Sequence, residues 1–456
     1  MLNLSLATIA EATQGRLRGA DVRIEAVSTD SREHFTTSLF VALRGEQHDA
    51  HDFIAQAHKN GAVAALVERA VDIDLAQVIV ADSQIALGKI AAHVRRQRDV
   101  CVIGITGSNG KTTVKSLLAG ILSRHAPTHA SSGSFNNEIG LPLTLLAMPA
   151  DTRFAVLEMG AGKPGDIDYL VRIAEPQVTL VNNIAPAHLE RMGSLDGVAQ
   201  TKGAIYSGLP ADGIAVINVD DAYASFFAKL AGKRRVIRFG ITADADVTAR
   251  RDERAAANQF TLIAPAGEID ISLPLLGRHN VHNALAAASL AIAVGVPLAT
   301  IKQGLEAATP VAGRSAQRKH SSGALIIDDT YNANPASFAV AIDTLAAFAG
   351  TRILVVGDLR ELGVDAESLH AGIGALAASK GIDQLFAVGD LSRATASAFG
   401  SQARHFANQT LLIEALRGEL AATTAVLIKG SRGSAMDRVV GGLFAAEANA
   451  GDRHAA

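Results

Sequence analysis

The sequence predicts an α/β protein of three domains: a small α/β unit, a central phosphate-loop unit with a mostly parallel sheet, and a C-terminal Rossmann-like unit. Three observations carry that expectation. The chain has 456 residues, too many for one ordinary core when a domain takes roughly 150. Apolar strand-like runs alternate with alanine-rich helical runs along most of its length, the pattern of parallel sheets covered on both faces. Residues 100–123 read as strand, glycine-rich turn and helix, with Gly110-Lys111-Thr112 at the junction. The expected units span residues 1–82, 83–311 and 312–456.

Composition narrows the classes. Hydrophobic residues make up 48% of the chain and charged residues 19%, enough apolar content for large buried cores. A net charge of −3 gives no bulk attraction to nucleic acid or a membrane surface, so an anionic ligand needs local basic groups. The single cysteine, Cys101, excludes an internal disulfide framework and fits a reducing compartment. No basic segment followed by an apolar core opens the chain, and no uncharged apolar run reaches the ~20 residues of a membrane span. A cytoplasmic monomer without membrane insertion is expected.

In chain order, residues 4–12 read as a helix, 22–27 and 39–43 as strands, 53–60 as a helix, and 64–67 and 77–80 as strands. A helix over 85–98 leads into the strand before the glycine turn. Strands follow at 154–159, 178–182, 214–218 and 236–239, and residues 246–273 read as an antiparallel patch. The alternation restarts with strands at 325–328, 352–356, 384–388 and 425–428. No G-x-G-x-x-G follows the first of these, so no dinucleotide site is expected there.

The chemistry starts at Gly107-Ser108-Asn109-Gly110-Lys111-Thr112-Thr113. Glycines let consecutive backbone N–H groups converge on an anion, and the helix N-terminus adds positive potential. Lys111 suits terminal phosphates, and the Thr112 hydroxyl suits a phosphate-bound Mg2+. The loop is shorter than G-x-x-x-x-G-K-[ST], because Gly107 stands three positions before Gly110. Ligands of parallel sheets bind beyond the carboxyl ends of the strands. Glu158 ends one strand and His188 follows another, so both reach the phosphate crevice, and Glu158 reads as a Mg2+ ligand.

Other polar residues carry two readings each. Ser28, Asp30, Ser31 and Arg32 form a dense polar run, either turns and caps or a site for an anionic sugar nucleotide. Asn136 and Asn137 precede a helical run and read first as caps. Lys202 opens an apolar helix, where solvation alone accounts for it. Asn280 and Asn283 share a face at the first turn of a helix; capping explains one, and an amide also matches a purine edge. Arg314 sits at the join to the last unit, where an arginine can close over a transferring phosphoryl group. The run DDTYNANP, residues 328–335, and Lys429-Gly430-Ser431-Arg432 both end strands, where α/β ligands sit.

Taken in order, TGSNGKTT, FNNEIGLP, LEMGAGKPGDI, APAHLERMGS, TKGAIYSGLP, GRHNVHNALAA, GRS, DDTYNANP, GDLRELG and KGSRGSAMDRV resemble the motifs of the Mur ligase family over nearly the full length. The run DSR, SLFVALRG, HDAHDF resembles that family's uridine-nucleotide domain. DDTYNANP favours the branch whose incoming amine is D-alanyl-D-alanine, and the D-N-P-R signature of the tripeptide-forming branch is absent. The resemblance implies ATP-dependent amide formation through an acyl phosphate. Its substrates would be UDP-N-acetylmuramoyl-tripeptide and D-alanyl-D-alanine, its cofactors ATP and Mg2+, and its product the pentapeptide precursor of peptidoglycan.

Carried over by motif, the resemblance implies that Thr112 and Glu158 hold one Mg2+. Glu158 and His188 would serve a second, with Lys202 as the family's carbamylated lysine. Lys111 and Arg314 would bind the γ-phosphate, Asn280 and Asn283 adenine, and Asp329 the ribose. Asn137 would lie near the phosphate and acyl group. Ser28, Asp30, Ser31 and Arg32 would contact the UDP-sugar, and Asn332, Asn334, Ser431 and Arg432 the incoming dipeptide. Two departures stand out: Thr36-Thr37-Ser38-Leu39-Phe40 replaces Pro-Gly-Asp-Leu-Phe, and Ala50 replaces Gly in Asp-Gly-His-Asp-Phe. A folylpolyglutamate synthetase would share the central unit but would not need Asp30-Ser31-Arg32. A phosphate-loop switch would explain neither Lys202 nor DDTYNANP.

Overall fold

The computed structural model describes residues 2–34, 36–45, 47–133, 135–186, 189–250 and 258–451. Three large sheets set its architecture. The first has five strands, in the order Arg16–Arg18, Ala76–Ile79, Ala62–Val67, Ser38–Val41 and Ala26–Ser28. Its first pair is antiparallel and the rest are parallel.

The second sheet is parallel throughout, in the order Arg235–Phe239, Ile214–Asn218, Val178–Val181, Cys101–Thr106, Phe154–Glu158 and Thr128–Ala130. Its central strands are buried on both faces, as near-continuous apolar runs require. Ile103, Ile105 and Val178 pack with Val114 and Leu117 of helix Lys111–Leu122 and Val281 of helix Arg278–Ala293. Val102, Leu157 and Val181 pack with Leu170 of helix Asp166–Ala174 and Ile205 of helix Leu195–Ser207 on the other face. Strand order reverses at Cys101–Thr106. The chain leaves it for the edge strand Thr128–Ala130, returns through Phe154–Glu158, and crosses to Val178–Val181 on the far side. Such a reversal opens a crevice at the carboxyl end of the strand.

Thr248–Arg250, Gln259–Ala264 and Gly267–Ser272 form a small antiparallel sheet. Its Phe260, Leu262 and Ile271 enter the same core as Val281. Residues 251–257 of the expected antiparallel patch lie outside the described residues. The third large sheet runs Ala316–Lys319, Leu325–Asp329, Thr424–Lys429, Thr351–Gly357, Gln384–Val388 and Ala403–Phe406, parallel apart from its first pair. Among the described residues no helix is long and apolar enough to cross a membrane.

The strands Arg16–Arg18, Thr128–Ala130, Ala316–Lys319 and Ala403–Phe406 carry no apolar pattern in the sequence. Each lies at a sheet edge and keeps no fully buried residue. Thr37, where the family resemblance places a glycine, takes φ 58. A β-branched residue in that left-handed region is strained by about 1 kcal/mol or more. Thr37→Gly is therefore expected to raise the first thermal unfolding transition of the whole chain, with a gain of about 1 kcal/mol after glycine's own entropy is counted; scanning calorimetry checks it.

Candidate active site

The carboxyl ends of the second and third sheets line one crevice of about 1090 Å³. The phosphate loop forms its floor on the central side. Gly107 and Gly110 take φ 147 and 80. A Cβ on Gly110 would come within 2.4 Å of Asn182 Nδ2 and Asn283 Oδ1, so only glycine fits there. Ser108 donates its N–H to Asn183 O at 2.9 Å and its Oγ to Ala185 O at 3.0 Å; Asn109 N donates to Asn183 Oδ1 at 2.8 Å. Helix Lys111–Leu122 starts directly after this loop, with Thr112 and Thr113 in its first turn.

Glu158 lies beside it, 1% exposed. Its Oε2 accepts from Thr112 Oγ1 at 2.8 Å, and its Oε1 from Asn136 Nδ2 at 2.7 Å. Lys115 Nζ stands 3.5 Å from Oε2 and donates to Gly133 O at 2.6 Å. Burial raises a carboxyl pKa, but the charges of Lys111 and Lys115 and the two hydrogen bonds outweigh it, so Glu158 stays below its ordinary value. Lys111 Nζ curls back to donate to Gly107 O at 2.8 Å. Burial lowers its pKa, with Glu158 pulling upward and Arg314 downward.

Arg314 Nη2 donates to Thr112 Oγ1 at 2.7 Å. Its guanidinium stacks 4.1 Å from the centre of the Tyr331 ring, and its Nε is buried without a partner. Asp329 Oδ2 accepts from Lys429 Nζ at 2.6 Å, and its Oδ1 from Ser315 N at 3.0 Å. Lys202 is 1% exposed. Burial, then the charge of Lys111, lower its pKa from 10.5 to about 7, with Asp166 pulling the other way. His188 lies outside the described residues.

Asn280 and Asn283 belong to an amide chain behind the loop. Asn182 Nδ2 donates to Asn283 Oδ1, Asn283 Nδ2 to Asn280 Oδ1, each at 3.0 Å, and Asn280 Nδ2 to Leu276 O at 2.6 Å. Asn280 also faces a side cavity of about 130 Å³, walled by Leu117, Leu275, Pro310 and Val311. Asn137 is a cap, accepting from Gly140 N at 2.9 Å; its neighbour Asn136 is the one that reaches Glu158. Asn334 caps helix Pro335–Ala346 and donates Nδ2 to Asn109 Oδ1 at 2.9 Å, joining the third sheet's unit to the phosphate loop. Asn332 Oδ1 accepts from Arg432 N at 3.4 Å, and Ser431 Oγ from Arg360 N at 2.9 Å.

The residues Ser28, Asp30, Ser31 and Arg32 are not among those lining the crevice. Ser28 ends strand Ala26–Ser28 of the first sheet, and the other three follow it. Ser28 Oγ donates to Glu33 Oε2 at 2.6 Å, Asp30 pairs with Arg32 at 2.6 Å, and Ser31 O accepts from Asn60 Nδ2 at 2.8 Å. Sequence reasoning left Lys115, Asn182 and Arg360 unassigned. Lys115 had one signal: it is a lysine on the helix face of Thr112, next to the buried Val114 and one turn before Leu118.

The donor set of Thr112 Oγ1 and Glu158 fits a Mg2+, which takes hard oxygen ligands and keeps several from phosphates and water. Among the described residues no group of three or more His, Cys, Asp or Glu gathers as a metal cage.

Three family models match the chain: "Mur ligase family, catalytic domain" over residues 23–101, "Mur ligase middle domain" over 105–291, and "Mur ligase, glutamate ligase domain" over 313–432. The UDP-N-acetylmuramoyl-tripeptide–D-alanyl-D-alanine ligase of Escherichia coli (strain K12) is 44% identical over 96% of this chain and 98% of its own. That of Bacillus subtilis (strain 168) is 33% identical over the same shares. The crystal structure of MurF from Acinetobacter baumannii superposes with a TM-score of 0.91 at 35% identity, covering 97% of this chain and 98% of that one. MurF ligase from Thermotoga maritima in complex with ADP gives 0.80 at 27%, covering 92% and 96%. Folylpolyglutamate synthase from Mycobacterium tuberculosis, at 21% identity, TM-score 0.65 and 79% of this chain, shares the fold.

Lys202 makes stability depend on pH. Above pH 7 the folded lysine is neutral, while the unfolded one, titrating near 10.5, still binds a proton. Stability from this group therefore rises as pH climbs from about 7 toward 10.5. Against Lys202→Met, the wild type is expected to gain roughly 2–3 kcal/mol between pH 7 and pH 9, read by urea unfolding in buffer free of divalent ions and carbon dioxide.

Proposed function

The chain belongs to the Mur ligase family and is an ATP-dependent C–N ligase that joins D-alanyl-D-alanine to UDP-N-acetylmuramoyl-tripeptide; we propose that it does so through an acyl phosphate formed in the crevice between the second and third sheets. In this reading residues 1–82 take the UDP-sugar, 83–311 take ATP and 312–456 take the dipeptide. The observation that supports it best is the buried Glu158, bonded to Thr112 beside Lys111 and Arg314. Cations and hard oxygens gathered at one point offset the repulsion between a triphosphate and a carboxylate.

A terminal carboxylate oxygen of the tripeptide attacks the γ-phosphorus, and the bond to ADP breaks. The neutral amine of the dipeptide then attacks the acyl carbon. The amide forms, and phosphate leaves with that oxygen while the nitrogen loses a proton. Lys111 and Arg314 hold the γ-phosphoryl group, and the backbone from Gly107 to Thr113 cradles the chain of phosphates. Thr112 and Glu158 would hold Mg2+, which when bound offsets phosphate charge. Glu158 and His188 would hold a second, together with a carbamate on Lys202. The buried Lys202 amine, its pKa drawn down to about 7, suits that carbamate, because only the unprotonated form takes up carbon dioxide.

The side cavity beside Asn280 suits adenine, with Asn283 bracing it and Asp329 taking the ribose. Asn137 orders the loop that carries Asn136 toward the acyl group. Ser28, Asp30, Ser31 and Arg32 take the UDP-sugar. Asn332, Asn334, Ser431 and Arg432 take the dipeptide. The units close over the substrates, because water at an acyl phosphate would waste ATP. The enzyme works as a cytoplasmic monomer in this account.

With both oxygens of the tripeptide's terminal carboxyl labelled with 18O, one label is expected in the released phosphate, in a reaction that requires D-alanyl-D-alanine. Unlabelled phosphate would overturn the acyl phosphate. Lys111→Ala is expected to lower kcat by ~100-fold or more, measured as phosphate release.

A further inference from the structure

Three of the seven lysines and arginines that line the crevice are already engaged. Lys111 donates to Gly107 O, Arg314 to Thr112 and Lys429 to Asp329. On the side of the third sheet, Arg360 and Arg432 line the crevice with no ion pair and no side-chain hydrogen bond among the described residues. Among the described residues, Lys163 and Arg191 are the cations without an ion pair on the opposite, central side.

Arg360 follows strand Thr351–Gly357 and Arg432 follows its neighbour Thr424–Lys429. Their loops are locked to each other and to the domain. Ser431 N donates to Asp358 O at 3.1 Å, and Arg360 N to Ser431 Oγ at 2.9 Å. Leu359 N donates to Nε2 of the buried His370 at 3.0 Å, and Ser392 N to Asp358 Oδ1 at 2.9 Å. The Arg360 side chain lies over Gly433, where a Cβ would come within 2.8 Å of its Nε. The bare glycine thus lets one guanidinium settle next to the residue that carries the other.

An incoming D-alanyl-D-alanine brings a carboxylate into a crevice that already holds a triphosphate and a second carboxyl. That carboxylate trails the attacking amine by two residues, about 7 Å when extended, so the cations at the γ-phosphate cannot serve both ends. A guanidinium binds a carboxylate through two parallel N–H donors. We propose that Arg360, with Arg432 beside it, binds the terminal carboxylate of the incoming dipeptide and sets the specificity for a free acid there. This rests on the assignment of residues 312–456 to the dipeptide.

The test compares D-alanyl-D-alanine with its C-terminal amide in the wild type, Arg360→Ala and Arg360→Lys, by steady-state phosphate release with ATP and the UDP-tripeptide. In the wild type, amidation is expected to raise the dipeptide KM by ~10-fold or more, and Arg360→Ala to raise the KM for the free acid by a similar factor. In Arg360→Ala the acid and amide should then agree within about twofold, with Arg360→Lys intermediate because it keeps the charge but loses the fork. KM values for ATP and the UDP-tripeptide should move by less than about twofold. An unchanged KM for the acid in Arg360→Ala, or an equal loss for acid and amide, overturns the proposal. Wild-type phosphate release that ignores D-alanyl-D-alanine would instead overturn the dipeptide assignment on which it rests.

Discussion

The structure of the crevice depends on keeping one carboxylate charged where water does not reach it. Glu158 is 1% exposed, and an isolated buried anion would take up a proton rather than bear the desolvation cost. Its charge survives because separate segments converge on it. The phosphate-loop helix sends Thr112 and Lys115, and the loop after strand Thr128–Ala130 sends Asn136. Lys115 also grips Gly133 of that loop. The positions of helix, loop and strand are therefore not independent, since displacing any one leaves a buried charge or donor without its partner.

The third sheet's unit joins the same cluster. Arg314 reaches across to Thr112, which itself donates to Glu158, so a cation from one unit and an anion from the other share a hydroxyl. Asn334 bonds Asn109 in the loop. Both parallel sheets thus turn their carboxyl ends toward each other, and residues that terminate strands on either side, Glu158 and Asp329 among them, face one space. This is an arrangement in which chemistry between two anions becomes feasible while the strands behind remain ordinary apolar core.

Much of this was legible in the sequence, and unevenly so for physical reasons. Strands 214–218 and 384–388 coincide with Ile214–Asn218 and Gln384–Val388, because central strands buried on both faces read as unbroken apolar runs. Edge strands such as Ala316–Lys319 bury little and leave no such trace. In the site, Lys111, Thr112 and Glu158 announce themselves by order along the chain, strand then glycines then lysine. Asn136 and Asn137 could not be told apart from sequence, since which amide caps the helix and which meets Glu158 is decided by a strand some twenty residues away. Lys115 reads as an ordinary helical lysine until the loop that covers it is in place. The polar run from Ser28 to Arg32 was visible as polar, but its mutual pairing in the first sheet is a matter of local folding.

The amide chain from Asn182 through Asn283 and Asn280 to Leu276 O has a direction, each nitrogen donating to the next oxygen. Turning any one member around would set oxygen against oxygen, so the orientation of all three is chosen together. None of them can gain or lose a proton. The rear wall of the glycine loop is therefore indifferent to acidity, and whatever sensitivity to pH the capture of a nucleotide displays must originate among the lysines and carboxylates in front of it.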